Sequence, residues 1–344
     1  MLRHHGDADT GPGLLDFAVN VRGDGPPAWL RQLLAAALDR LGRYPSVAED
    51  AAARAMVAAR HGRDDAEVLV LAGAAEGFAL LPALAPRAAA VLHPSFTEPE
   101  VALRRAGVPV RRVLTDRAHR LCPERVPPEA DLVVLGNPTN PTSVLHPADV
   151  VRRLARPGRV LVVDEAFADA EPGEPESLAA DRVTPGLLVV RSLTKTWALP
   201  GLRAGYALGA PDQLARLAAP RPPWPVSSLA LEAVRACSAP AAVAEARAAA
   251  ARTVRHRDWM ARRLAELPGV TVHQPAAAPF LLLQVPRGER VRAALRDAGI
   301  AVRRADTFPG LTPDHLRVAV RPPEVAVRLV DGLRAALTSA EAAR

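Results

Sequence analysis

The chain is poor in aromatic residues: six Phe, four Trp and two Tyr make up 3% of 344 positions, too few for a platform on which nucleic-acid bases stack. Cysteine is rarer still. Cys122 and Cys237 stand alone and far apart, which excludes a disulfide framework of the secreted kind. No uncharged apolar run reaches the ~20 residues that span a bilayer, and the most apolar long stretch, 68–86, is interrupted by Glu76, glycines and prolines. The opening MLRHHGDADTG lacks the apolar core of a secretory signal, so a reducing cytoplasm is the expected compartment and no membrane partner is expected. Lysine is almost absent. Of 44 basic residues, Lys195 is the single lysine and the other 43 are arginine. A guanidinium stays protonated and is a poor nucleophile, whereas an ε-amine can lose its proton and condense with an aldehyde. A chain that uses arginine wherever only charge is needed marks its one lysine for amine chemistry.

What is present describes a folded enzyme-sized chain. Apolar residues form 49% and charged residues 24%, close to globular averages. The length exceeds the ~250–300 residues at which a single core stops growing, so two domains are expected. The formal charge of +7 comes from arginines scattered one or two at a time among acids, the pattern of solvated helix faces and not of a nucleic-acid groove. No metal is expected.

Apolar strand-like runs alternate with helical periodicity. VLVLAG (68–73) precedes a helical stretch from Glu76 to Leu84, AAAVLHP (88–94) precedes 98–107, and DLVVLGNP (131–138) precedes 147–157; RVLVVDEAF (159–167), LLVVRSLTK (187–195) and RAGYALGA (203–210) follow. Continuous Val/Leu/Ala strands separated by helices imply a parallel sheet buried on both faces, an α/β layer fold. In such sheets ligands bind beyond the carboxyl ends of the strands, where the chemically informative residues fall. Four prolines in 219–228 break regular structure, and a long helix over 241–267 leads into a closing α+β region.

Around the lysine the chain reads Ser192-Leu-Thr194-Lys195, then Gly201-Leu-Arg203-Ala-Gly205. This resembles the Schiff-base motif S-x-[ST]-K-x(5)-G-[LI]-R-x-G of the fold-type I pyridoxal-phosphate (PLP) enzymes, the aspartate aminotransferase superfamily. The resemblance covers residues ~40 to ~325 and implies a large domain over 41–225, with a mostly parallel central sheet flanked by helices. Residues 1–40 and 226–344 would form a smaller α+β domain that completes the active site.

The resemblance also assigns roles residue by residue. Lys195 would carry the cofactor, and Ser192, Thr194 and Arg203 are the two hydroxyls and the forked guanidinium that a phosphate dianion requires. Asp164, in Asp164-Glu-Ala-Phe167, would pair with the pyridine nitrogen and make the ring an electron sink, with Glu165 a structural neighbour. Asn140, in GNPTNPTS, would meet the ring oxygen, although Ser143 stands where glycine is commoner. Gly73-Ala74-Ala75-Glu76 opens a helix after a strand, so the amides of Ala74 and Ala75 would hold phosphate, without the hydroxyl common there in the family. Phe96 would stack on the ring. Tyr44, in Arg43-Tyr44-Pro45, would reach the phosphate of a neighbouring subunit and make the enzyme an obligate homodimer. Arg317 would bind the substrate carboxylate.

The nearest subfamilies are the L-threonine-O-3-phosphate decarboxylases of cobalamin biosynthesis and the histidinol-phosphate aminotransferases. The opening HHGD…LLDFAVN, the phenylalanine of DEAF and VRRADTFPGL (302–311) resemble the decarboxylases more, and imply that Arg303, Asn20 and His5 meet a substrate phosphate; Asp7 and Asn20-Val-Arg-Gly depart from that pattern. The expected reaction is decarboxylation of L-threonine O-3-phosphate to (R)-1-amino-2-propanol O-2-phosphate. The alternative is transamination of histidinol phosphate or another amino acid, and a non-catalytic PLP-binding module, which would normally carry a DNA-binding extension, is the contrasting class.

Overall fold

The computed structural model describes residues 2–23 and 25–342. The first half of the chain forms β1 (Leu15–Phe17), α1 (Ala28–Ala37), α2 (Val47–His61), β2 (Val68–Leu71), α3 (Ala74–Leu80), β3 (Ala89–His93), α4 (Glu98–Arg105), β4 (Val110–Leu114), β5 (Leu132–Gly136), α5 (Ala148–Arg152) and β6 (Val160–Asp164). Then come β7 (Leu187–Ser192), β8 (Gly205–Gly209), α6 (Pro211–Ala218), α7 (Ser228–Cys237), α8 (Pro240–Ala265), β9 (Thr271–Val272), β10 (Phe280–Gln284), α9 (Gly288–Asp297), β11 (Ile300–Arg304), β12 (His315–Ala319) and α10 (Pro323–Ala342).

Seven strands build the larger sheet in the order β2-β8-β7-β6-β5-β3-β4. Strands β3 to β7 pair in parallel, and β3, β5, β7 and β8 are buried along their whole length, as the continuous apolar runs require of a sheet covered on both faces. β8 departs from the expected parallel arrangement, pairing antiparallel with both β2 and β7. The physical reason is the connection: residues 193–204 contain no helix, and a short link without a crossover returns the chain antiparallel. The helix expected from Glu76 to Leu84 starts earlier, at Ala74, because Gly73 caps it with a φ of 81°, and Pro82 turns its last residues, Leu81–Leu84, into a 3-10 turn.

The second sheet has the order β1-β11-β12-β10-β9, parallel only between β1 and β11. Helices α9 and α10 cover it around Met260, Leu281, Val302, Leu316 and Leu333. The core of the large sheet is wider than a 41–225 partition, because Leu30 of α1, Ala230 to Cys237 of α7, and Ala242 and Ala246 of α8 pack into it. Met260, Ala261 and Leu264 at the far end of α8 belong to the second core. At 1.5 Å per residue this 26-residue helix spans roughly 39 Å and ties the two cores together. No helix among the described residues is long and apolar enough to cross a membrane.

Candidate active site

The parallel direction of β2, β3, β5, β6 and β7 brings their carboxyl ends to one edge of the large sheet. Gly73 follows β2, Phe96 follows β3, Asn140 follows β5, Asp164 ends β6, Ser192 ends β7, and Thr194 and Lys195 come next. Because β8 runs the other way, its preceding residue Arg203 joins the same edge. There a cleft of about 610 Å³ is lined by Lys195, Asp164, Asn140, Phe96, Ala74, Ala75, Ser192, Thr194 and Arg203, and from the other side by Arg317, Arg303, Asn20 and His5. Of the site residues expected from the sequence, only Tyr44 lies elsewhere. It is 72% exposed and stacks on Trp224 with ring centroids 4.2 Å apart, beside exposed Leu41 and Val47.

Lys195 is half-buried in this cleft, and burial, reinforced by the Arg317 and Arg203 guanidiniums against the opposing Asp164 and Asp7, lowers its ammonium to about 8. Its amine therefore deprotonates far more readily than an exposed lysine. Asp164 is shifted the other way: burial pushes its carboxyl up to about 7, against the hydrogen bond its Oδ1 accepts from the Ala166 amide at 3.0 Å. That single bond leaves the second oxygen for a partner in the cleft. Glu165 next to it turns away, accepting from the Leu178 amide, the Ser177 hydroxyl and Arg191 at 2.6, 2.6 and 2.9 Å.

The end of the cleft at Arg203 depends on one glycine. A Cβ at Gly73 would stand 2.8 Å from Nη2 of Arg203, so only glycine lets the guanidinium lie against this turn, and its φ of 81° is one that other residues rarely adopt. Arg203 is itself held at a φ of 60°, a conformation that costs a non-glycine residue on the order of 1–3 kcal/mol and persists where the surroundings enforce it. It donates to the Pro200 carbonyl at 3.0 Å and makes no ion pair among the described residues. The Ser192 hydroxyl accepts from the Thr194 amide at 3.2 Å and so keeps its own proton to donate.

On the opposite wall, Arg317 and Arg303 are cross-strand neighbours on β12 and β11. Burial first, and Arg303 second, lower the Arg317 guanidinium to about 9, while burial lowers Arg303 to about 10. Arg317 donates to Asn140 Oδ1 and to the Ala18 carbonyl, each at 2.6 Å, and lies over the Phe280 ring. Its Nε is buried without a partner. Arg303 is more fully engaged: it donates to His4 O and Thr307 Oγ1 at 2.7 Å each, to Asp9 at 3.4 Å, and to the carbonyl of Arg304. His5 pairs with Glu98 at 2.8 Å and tilts against Phe96. Phe167 packs edge-on against Phe280, the ring over which Arg317 also lies.

Sequence reasoning missed Arg3, Asp7, Glu98 and Thr307, all of which line the cleft. It also missed Asp9, the buried partner of Arg303. Asp7 and Thr307 fall inside the quoted segments HHGD and VRRADTFPGL but at positions given no role there, and Arg3, Asp9 and Glu98 lie in no motif. The acids flanking the opening histidines, in HHGDAD, were the available signal.

The family model for aminotransferase class I and II matches residues 12–333. A histidinol-phosphate aminotransferase of Mycobacterium tuberculosis is 54% identical over 320 residues, 93% of this chain and 87% of that protein. A threonine-phosphate decarboxylase of Salmonella typhimurium is 33% identical over 343 residues, 94% and 92% of the two chains. Among solved structures, L-threonine-O-3-phosphate decarboxylase from Porphyromonas gingivalis superposes with a TM-score of 0.85 at 25% identity, over 94% of this chain and all of the other.

Proposed function

The chain belongs to the class I and II aminotransferase family, whose cofactor is pyridoxal 5′-phosphate, and from that premise we propose that it is an aminotransferase acting on a phosphorylated amino compound of the histidinol-phosphate type, with a 2-oxo acid as amino acceptor. The observation that carries the reading is the 54% identity to a histidinol-phosphate aminotransferase over nearly the whole chain, together with a cleft in which the single lysine faces a carboxylate. The order of the two readings expected from the sequence is thereby reversed.

The residues present fit the cofactor. A partnerless buried Nε on Arg317, a glycine turn that only Arg203 closes, and a carboxylate oxygen of Asp164 left for the cleft are the donors and acceptor that a carboxylated substrate and a phosphorylated pyridine require. Bound there, pyridoxal phosphate supplies an aldehyde for an amine and a ring that withdraws electrons from the substrate Cα. Lys195 would offer the amine and hold the proton that leaves the substrate Cα. Asp164 keeps the pyridine nitrogen protonated, and Arg203, Ser192, Thr194 and the amides of Ala74 and Ala75 hold the phosphate. Asn140 accepts from Arg317 through Oδ1, which leaves its NH₂ for the ring oxygen and couples that contact to the arginine that grips the carboxylate. Phe96 would lie against the ring, His5 and Asn20 would line the substrate end, and Arg303 would shape that end through the N-terminal segment it fastens. The enzyme works as a cytoplasmic homodimer, with Tyr44 on the face offered to the neighbouring subunit.

Phe167, which offers no hydroxyl, and the Salmonella and Porphyromonas likenesses support the second reading, decarboxylation of L-threonine O-3-phosphate. One pair of incubations separates the two. Holoenzyme with histidinol phosphate and 2-oxoglutarate is expected to form glutamate, whereas carbon dioxide and a primary amine released from threonine phosphate without any oxo acid would establish the second reading instead.

A further inference from the structure

Behind the cofactor cleft lies a second cavity of about 620 Å³ that the proposed reaction does not use. The two share only Asn20, Val21, Phe167 and Lys195, so segment 20–21 and the lysine form a partition with a chamber on either side. The carboxylates of the rear chamber are already engaged. Asp16 accepts from the amides of Ala18 and Val19 at 2.7 and 3.0 Å, and Asp169 accepts from the Thr196 side chain. Arg321 fastens the partition by donating to the carbonyls of Asp16, Val19 and Val21 at 3.1, 2.9 and 3.0 Å.

Two arginines and a histidine are less engaged. Arg252 and His256 stand one turn apart on α8 and face the chamber, and neither has a hydrogen-bond or ion-pair partner among the described residues. Arg22 donates through Nη2 to Thr253 Oγ1 at 3.0 Å. Burial, with Arg252 acting against Asp169, sets the Arg22 guanidinium below its ordinary value; burial, with Arg255 and Arg252 acting against Glu324, does the same to His256. At the inner end Asn20 is only 5% exposed, and its Oδ1 is buried without a donor. A concave chamber in which two guanidiniums and an imidazole converge beside an unsatisfied buried polar atom has the composition of a ligand site.

We propose that the rear chamber binds a small oxyanion, a phosphate or carboxylate group held by Arg22, Arg252 and His256, with a donor on the ligand or a bound water completing Asn20. The Arg22 amide donates to the Lys195 carbonyl at 3.1 Å, so an anion that draws in Arg22 acts on the peptide carrying the reacting amine. That regulatory half rests on the proposed role of Lys195; the binding half does not.

The test is calorimetric titration of the holoenzyme with inorganic phosphate, with succinate in a second arm to separate phosphate from carboxylate preference and chloride at matched ionic strength as control. Arg252→Ala and His256→Ala are each expected to weaken oxyanion binding about tenfold or more, the size of one charge-assisted hydrogen bond, and Arg252→Lys to recover part of it. Neither residue lines the cofactor cleft, so unchanged affinity in both alanine variants would place any bound anion elsewhere and overturn the proposal, as would the absence of binding. The pH titration of the bound cofactor's visible band should shift with phosphate in the wild type and not in Arg252→Ala. No shift in the wild type would overturn the regulatory half and leave the aminotransferase reading untouched.

Discussion

Arg203 and Arg303 face the same cleft from opposite walls with opposite commitments. Arg203 is exposed and donates to one backbone carbonyl, while Arg303 is 2% exposed and donates to Asp9, Thr307 and the carbonyls of His4 and Arg304. The first has donors to offer a phosphate. The second has given them to the N-terminal segment, so its charge reaches the cleft while its fork holds the wall. A motif position identifies an arginine, and packing decides whether its hydrogen bonds are available.

The contrast extends to the two walls as wholes, and substitutions sharpen it. Lys195→Arg should abolish turnover, by at least about a thousandfold, because no other side chain can supply the amine or carry the proton; measurable single-turnover chemistry in the purified variant would contradict this. Asp164→Asn is expected to keep the cofactor bound and lose about a hundredfold or more in kcat, as when one preorganised electrostatic partner is removed. Next come the paired arginines. Arg203→Ala should weaken cofactor affinity by about tenfold to a hundredfold with little change in thermal unfolding of the apo-protein, while Arg303→Ala should do the reverse. Asp9 would keep His4 at 3.0 Å but lose Arg303, and the His4 carbonyl and Thr307 would lose their donor, at a cost of about 1–3 kcal/mol, visible as a lower apo Tm. If the two variants behave alike, the division between the walls fails. Gly73→Ala, which brings a Cβ against Arg203 at a positive φ, should cost about 1–3 kcal/mol of stability, read by thermal unfolding, and weaken cofactor binding in equilibrium dialysis by displacing Arg203. The smallest effect is in pH: the rate at which apo-protein condenses with pyridoxal phosphate should climb up to a pH of about 8 and level above it, since the Lys195 amine is then unprotonated. A rise continuing toward the range of exposed lysines would show that the amine is not buried as described.

The placement of the strand-end wall of the cleft was legible because its residues sit at strand ends at fixed spacings, and the strands that carry them are continuous apolar runs. VLVVD ends in Asp164 and LLVVRS in Ser192, so finding the strand finds the residue. The direction of β8 was not legible, since Gly205–Gly209 reads the same whichever way it pairs. Nor was the width of the large core, because α7 and the first turns of α8 follow the proline-rich break yet pack before it in space. The substrate wall was partly legible. Arg317 and Arg303 were found, but the Asp9, Thr307 and His4 partners of Arg303 lie up to 299 residues away in sequence, and no local pattern announces a contact of that range.

The central claim is that Lys195 forms the covalent link to pyridoxal phosphate, and the composition makes its test unusually direct. With a single lysine in 344 residues, the only amines that borohydride reduction can fix to the cofactor are Lys195 and the chain's own amino terminus. Reduced holoenzyme should gain the mass of one phosphopyridoxyl group, carried on the peptide containing Ser192 to Arg203. An unlabelled chain, or a label confined to the amino terminus, would contradict the account.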